Sequence, residues 1–215
     1  MTVHRLPVRA DAFIFDVDST LYTCPAYADA QTRAQIERLA VLRGKSPDGM
    51  ELEVEARRAA WSAANGGRKL SLGNAFVDFG VPIEESVRWR EESARPEDFL
   101  SPDPLLRAAL NALRAAARLS VVTNNPSLVG RKTLEALGVA DLFDAVIGLD
   151  SYGVSKPHPA PFLGAAAALE TAPEFCVAVG DRFDIDIALP LELGMGGILV
   201  ESVADVYRIP DLFRR

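Results

Sequence analysis

The sequence predicts an α/β protein: a doubly wound, parallel, Rossmann-like sheet, interrupted after its first strand by an inserted all-helical cap. Three observations predict it. A short, wholly apolar run, Ala12-Phe13-Ile14-Phe15, breaks off in Asp16-Val17-Asp18. From about residue 105 onward, apolar runs of strand length alternate with helical stretches. Between them, residues 24–94 show helical patterning alone.

Each element follows from its own residues. An apolar run without alternation suits a strand covered on both faces, so Ala12 to Phe15 is read as a central parallel strand. Ile36, Leu39 and Ala40 fall at helical spacing, and Glu51 to Ala64 is rich in good helix formers. Gly66-Gly67 is a break, with further helical stretches near Ala75 and Ile83. Ser93 to Pro104 contains Pro96, Pro102 and Pro104 and reads as the linker back to the main body. Then come a helix (Leu105 to Ala116), a strand (Leu119 to Thr123), and a helix from Ser127 to Leu137 that Gly138 caps. A strand (Ala145 to Gly148), a helix (Ala160 to Leu169), a strand (Phe175 to Val179), a helix toward Leu193 and a strand (Gly197 to Val200) complete the series. Such alternation implies right-handed crossovers in one parallel sheet. The expected division is residues 1–23 with 95–215 as the core and 24–94 as the cap.

Composition narrows the function. The 215 residues are 49% hydrophobic and 25% charged, enough to bury a substantial core. A net charge of -7 argues against a nucleic-acid partner. Anionic small molecules stay open, provided a cation inverts the local field. Cys24 and Cys176 match no zinc spacing and read as reduced thiols of a cytoplasmic protein. No stretch approaches the roughly 20 apolar residues of a membrane span, and no signal peptide is expected at the N-terminus.

Ligands of open parallel sheets sit beyond the carboxyl ends of the strands, and polar residues collect there. The first strand delivers Asp16 and Asp18. A later one delivers Thr123, Asn124 and Asn125, and another Gly180 and Asp181, with Asp184 and Asp186 behind. Lys156 precedes a helix in Ser155-Lys156-Pro157-His158-Pro159. An Asp after a strand is ordinarily a turn residue or helix cap. The full set, at the ends of different strands, points to a site. Carboxylates so crowded repel unless protonated or bridged, and a hard divalent ion with oxygen ligands, Mg²⁺ above all, resolves the conflict.

The motifs Asp16-Val17-Asp18-Ser19-Thr20-Leu21, Val122-Thr123-Asn124-Asn125, Ser155-Lys156-Pro157 and Gly180-Asp181-Arg182-Phe183-Asp184-Ile185-Asp186 resemble the four motifs of the haloacid dehalogenase superfamily. They occur in that family's order, with the cap after the first. The resemblance implies a Mg²⁺-dependent phosphatase in which Asp16 is the nucleophile and Asp18 the general acid and base. It implies that Asp16, the backbone carbonyl of Asp18 and Asp181 hold the metal, with Asp186 or Asp184 as the second acidic position. Thr123, Asn124 and Lys156 are implied to bind the phosphoryl oxygens, Lys156 also offsetting the charge on Asp16. The dehalogenase branch lacks an acid two places after the nucleophile, so Asp18 favours phosphate esters. Leu189-Pro190 departs from a small Gly-Ala pair, and Pro190 is expected to kink or delay its helix.

The expected partner is a small phosphate ester, either a nucleoside monophosphate or a sugar phosphate such as phosphoglycolate. Pro96-Glu97-Asp98-Phe99-Leu100 is similar to the pyrimidine nucleotidase-like branch. Tyr22, Tyr27, Arg68, Lys69 and Asn74 are candidates for reading the leaving group. Two rivals share the core: a phosphomutase, and a receiver-like phosphoacceptor module, against which the helical insertion and Asp18 count. A dinucleotide site would need a Gly-rich turn, and Asp16 to Leu21 contains no glycine.

Overall fold

In the computed structural model, which describes residues 1–67 and 70–213, the chain divides into two units: Met1–Cys24 with Pro96–Arg215, and Pro25–Arg95. Strands β1 (Thr2–Arg5) and β2 (Ala12–Phe15) come first. The helices of the second unit follow: α1 (Pro25–Arg43), α2 (Pro47–Ala64), α3 (Leu72–Val77) and α4 (Ile83–Ser93). The first unit resumes with α5 (Pro104–Arg114), β3 (Arg118–Val122), α6 (Ser127–Ala136) and β4 (Ala145–Ile147). It ends with α7 (Leu149–Tyr152), α8 (Pro159–Ala168), β5 (Cys176–Gly180), α9 (Ala188–Glu192), β6 (Gly196–Leu199) and α10 (Val203–Val206).

The strands form one sheet in the order β1-β6-β5-β2-β3-β4, parallel throughout except for β1 against β6. The chain winds outward from β2 through β3 and β4, then returns to β2's other side for β5 and β6. That reversal puts a crevice at the carboxyl end of β2, where ligands of such sheets bind. Every residue of β2 and β5 is buried, as expected of strands with helices on both faces. Phe13, Phe15, Leu106, Leu110 and Leu119 are fully buried. Each such side chain contributes about 1.5–3 kcal/mol by leaving water.

The α/β architecture with an all-helical insertion is the one expected. From β3 to β6 the strands and the longer helices read from the sequence lie within about two residues of their observed bounds, while α2 begins four residues before Glu51 and the short α7 and α10 are additions. Gly138 takes φ 70, the left-handed conformation that ends α6. Strand β1 is an addition to the expected set. Its four residues are all exposed and carry no alternation. It holds the sheet edge by pairing with β6, while the Arg5 guanidinium donates to the backbone carbonyl of Leu191 at 2.7 Å.

The second unit has its own core, in which Ile36, Leu39, Met50, Val54, Phe76 and Trp89 pack together. Ser46 caps α2 and Ser71 caps α3, each hydroxyl accepting from a backbone N–H at 3.2 Å. Among the described residues, no helix is long and apolar enough to cross a membrane.

Candidate active site

Asp16 follows directly on β2, its backbone N–H bonded to Val179 of β5 at 2.8 Å. The chain then turns sharply. Thr20 and Leu21 both donate to the Val17 carbonyl, and Ser19 takes φ 62, a left-handed conformation a serine rarely adopts. The turn drops the Thr20 hydroxyl back to within 3.4 Å of an Asp16 oxygen.

Lys156 sits opposite. Its ammonium donates to Asp16 Oδ1 and to Asp186 Oδ1, both at 2.6 Å. Asp16, Lys156 and Asp186 are 5%, 4% and 2% exposed, so these are buried charges, held by mutual pairing. Asp181 and Asp186 come from the segment after β5, where a π-helical turn spans Phe183–Ile187. One extra residue in that turn carries Asp186 inward, onto the Arg182 N–H at 3.1 Å. Gly180 leaves room for this approach, because a Cβ there would collide with the Asp186 side chain. Asp184 faces outward and is exposed. The π turn runs directly into α9, of which Pro190 is the third residue.

Asp16, Asp181 and Asp186 each bring a carboxylate oxygen within 4.8 Å of the others. Burial pushes the Asp16 carboxyl up to about 7; Lys156 opposes this, while Asp186 and Asp18 add to it. Asp181 is raised too, first by burial and then by Asp186. Burial works against the charge on Lys156, but Asp16 and Asp186 outweigh it and its net shift is upward. The ammonium therefore stays charged, and the strain of excess negative charge falls on the carboxylates. An all-oxygen donor set with more negative than positive charge fits a hard divalent cation such as Mg²⁺.

Asp18 stands beside this cluster. Its Oδ1 accepts from the Tyr22 hydroxyl at 2.5 Å, and its Oδ2 from Asn125 Nδ2 at 3.0 Å and Thr123 Oγ1 at 3.4 Å. Thr123, at the end of β3, is buried and also accepts the Asn125 N–H at 3.0 Å. The side chain of Asn124 meets the backbone of Lys156 twice. Its Oδ1 accepts from the Lys156 N–H at 2.7 Å, and its Nδ2 donates to the Lys156 carbonyl at 3.2 Å.

The structure thus gathers Asp16, Asp18, Thr123, Lys156, Asp181 and Asp186 at the carboxyl ends of the sheet's inner strands. Asn124, read as a phosphate-binding residue, turns its side chain to the backbone of Lys156 and so fixes the loop that carries the ammonium. Tyr22, a candidate for reading the leaving group, belongs to the sheet unit, and its hydroxyl donates to Asp18. Tyr27, another candidate, lies in the first turn of α1 and is 1% exposed. Asn74 is exposed on α3, while Arg68 and Lys69 lie outside the described residues. The roles of Tyr22, Asn124 and Asn125 have no signal in the sequence, since their partners are set by loop geometry.

Residues 10–193 match the family described as haloacid dehalogenase-like hydrolase. The chain is 33% identical over 192 residues to a phosphoglycolate phosphatase of Shigella boydii, covering 81% of this chain and 75% of the relative. It is 30% identical over 191 residues to a phosphoglycolate phosphatase of Cereibacter sphaeroides, covering 85% and 81%. Among solved structures, it resembles a haloacid dehalogenase-type phosphatase from Thermococcus onnurineus with a TM-score of 0.62 at 21% identity. That likeness covers 93% of this chain and 97% of the other, and it bears on the fold.

Proposed function

The chain belongs to the haloacid dehalogenase-like hydrolases and is a phosphoric monoester hydrolase, and from that premise we propose a Mg²⁺-dependent reaction through an aspartyl-phosphate on Asp16. The observation that carries this reading is the buried Asp16–Lys156–Asp186 arrangement, with Asp18 beside it. Asp16, Asp181, Asp186 and the backbone carbonyl of Asp18 would hold Mg²⁺, which would neutralise charge on the phosphoryl group.

The residues divide the work. An Asp16 carboxylate oxygen attacks phosphorus, the bond to the leaving oxygen breaks, and Asp18 hands that oxygen a proton. Water then attacks the phosphoaspartate, Asp18 takes its proton, and inorganic phosphate leaves Asp16 free. Lys156 and the Thr123 hydroxyl bind phosphoryl oxygens, and Lys156 stabilises the Asp16 carboxylate between turnovers. Asn124 keeps Lys156 in place. The helical second unit acts as the cap that selects the ester and limits water.

The substrate is a small anionic phosphate ester, of which phosphoglycolate, the phosphate of a hydroxy acid, is the first to try. The support is the identity of 30–33% to phosphoglycolate phosphatases over most of their length. A panel containing phosphoglycolate, sugar phosphates, nucleoside monophosphates and 4-nitrophenyl phosphate tests this. Hydrolysis should stop with EDTA, return with Mg²⁺, and show its highest kcat/KM on phosphoglycolate. A preference for nucleoside monophosphates would overturn that choice of ester, and full metal-free turnover the metal. Recovery of an isomeric phosphate ester instead of inorganic phosphate would make the chain a mutase. Independently of turnover, Mg²⁺ at about 100 times its Kd should raise Tm by roughly 5–10 °C.

A further inference from the structure

We infer that Tyr22 and Asn125 are positioning residues that clamp the Asp18 carboxylate for its proton transfers; the inference rests on the phosphatase reading above. Asp18 needs such help. It is only partly buried and lies in a turn of backbone, next to Ser19 at φ 62. Left alone, its side chain would spread over several rotamers. A general acid or base works only within hydrogen-bond reach of its proton, so that spread would slow both transfers.

The clamp closes from two sides. Tyr22 lies four residues on, its backbone bridged to Asp18 and its ring 5% exposed. Its hydroxyl donates to Oδ1 at 2.5 Å. Asn125 reaches Oδ2 at 3.0 Å from a loop 107 positions away. A carboxylate has about four lone-pair sites; with the longer Thr123 hydroxyl contact at 3.4 Å these bonds still leave one on Oδ1 for a leaving group or water. Asn125 is itself set by its N–H bond to Thr123 Oγ1. The phosphate-binding loop and the acid–base residue therefore share one anchor.

A buried tyrosine hydroxyl needs an acceptor in any case, so the test must separate clamping from mere satisfaction. Rapid-quench kinetics of the Mg²⁺-loaded full chain on 4-nitrophenyl phosphate do so. Tyr22→Phe should slow phosphoaspartate breakdown about 10-fold and its formation by less than about 3-fold. In an Asp18→Ala background, Tyr22→Phe should change neither step by more than about 2-fold. Asn125→Ala, a second route to the same loss, should repeat the pattern. Equal losses with and without Asp18, or no loss on breakdown, would overturn the clamp. Thermal unfolding of wild type, both single variants and the double variant needs no turnover. Their Tm shifts should depart from additivity by at least about 2 °C, and additive shifts would also overturn it. A wild type that forms no phosphoaspartate would overturn the proposed route through Asp16 instead, and a non-additive melt would then show the contact without its catalytic use.

Discussion

Asp16→Asn is expected to remove turnover, by on the order of 10⁴-fold or more, while leaving the fold in place. Asparagine fills nearly the same space but offers phosphorus a far poorer nucleophile. The ammonium of Lys156 keeps its second partner, Asp186, at 2.6 Å, so the substitution strands no buried cation. Stability of the metal-free protein should even rise above neutral pH. The folded-state value for Asp16 is about 7, against an ordinary 3.8. Ionised Asp16 therefore opposes folding: its unfavourable contribution is absent below about pH 4, grows between about pH 4 and 7, and is complete above about pH 7. The uncharged amide of the variant would lack this dependence. Melts of both proteins in EDTA at about pH 5 and about pH 8, on either side of the folded-state value, check it: the variant should gain on the wild type at the higher pH. Substantial turnover by a variant proven free of deamidation would place the nucleophile elsewhere.

Asp18→Ala should separate the two chemical steps. A 4-nitrophenolate ion leaves without a proton, so with that ester the first step should slow only modestly. Breakdown needs a base to position and deprotonate water, and its loss should cost about 10²–10⁴-fold. The expected record is a burst of nitrophenol, slow turnover thereafter, and phosphate accumulating on the protein. With an alkyl phosphate the burst should disappear as well, because an alkoxide cannot depart unassisted. Equal slowing of both steps on the aryl ester, with no trapped phosphate, would contradict the double role.

Much of this arrangement is legible in the sequence, and the reason is physical. The run Ala12–Phe15 needs no tertiary context to read as a buried strand, and its abrupt end fixes where Asp16 must lie. Thr123 and Asp181 follow apolar runs in the same way. Strand β1 escapes because four exposed residues carry no periodicity; only the free edge of β6 makes them a strand. The choice between Asp184 and Asp186 is made within a π-helical turn, which leaves Asp184 exposed and buries Asp186. The partners of Tyr22 and Asn124 are hidden from the sequence for a related cause. Sequence shows which groups can donate, but which acceptor stands opposite depends on loops folded from distant segments. Asn124 and Lys156, 32 positions apart, meet only because β3 and β4 are neighbours.

Whether phosphate passes through Asp16 is the claim on which the rest depends, and mass spectrometry of acid-quenched protein measures it directly. Full-length protein is mixed with Mg²⁺ and phosphoglycolate or 4-nitrophenyl phosphate, quenched within the burst, and digested. One added phosphoryl group is expected on the peptide containing Asp16, absent with EDTA and absent from Asp16→Asn. Phosphate on another residue, or steady release of inorganic phosphate from a protein that never carries it, would contradict the account.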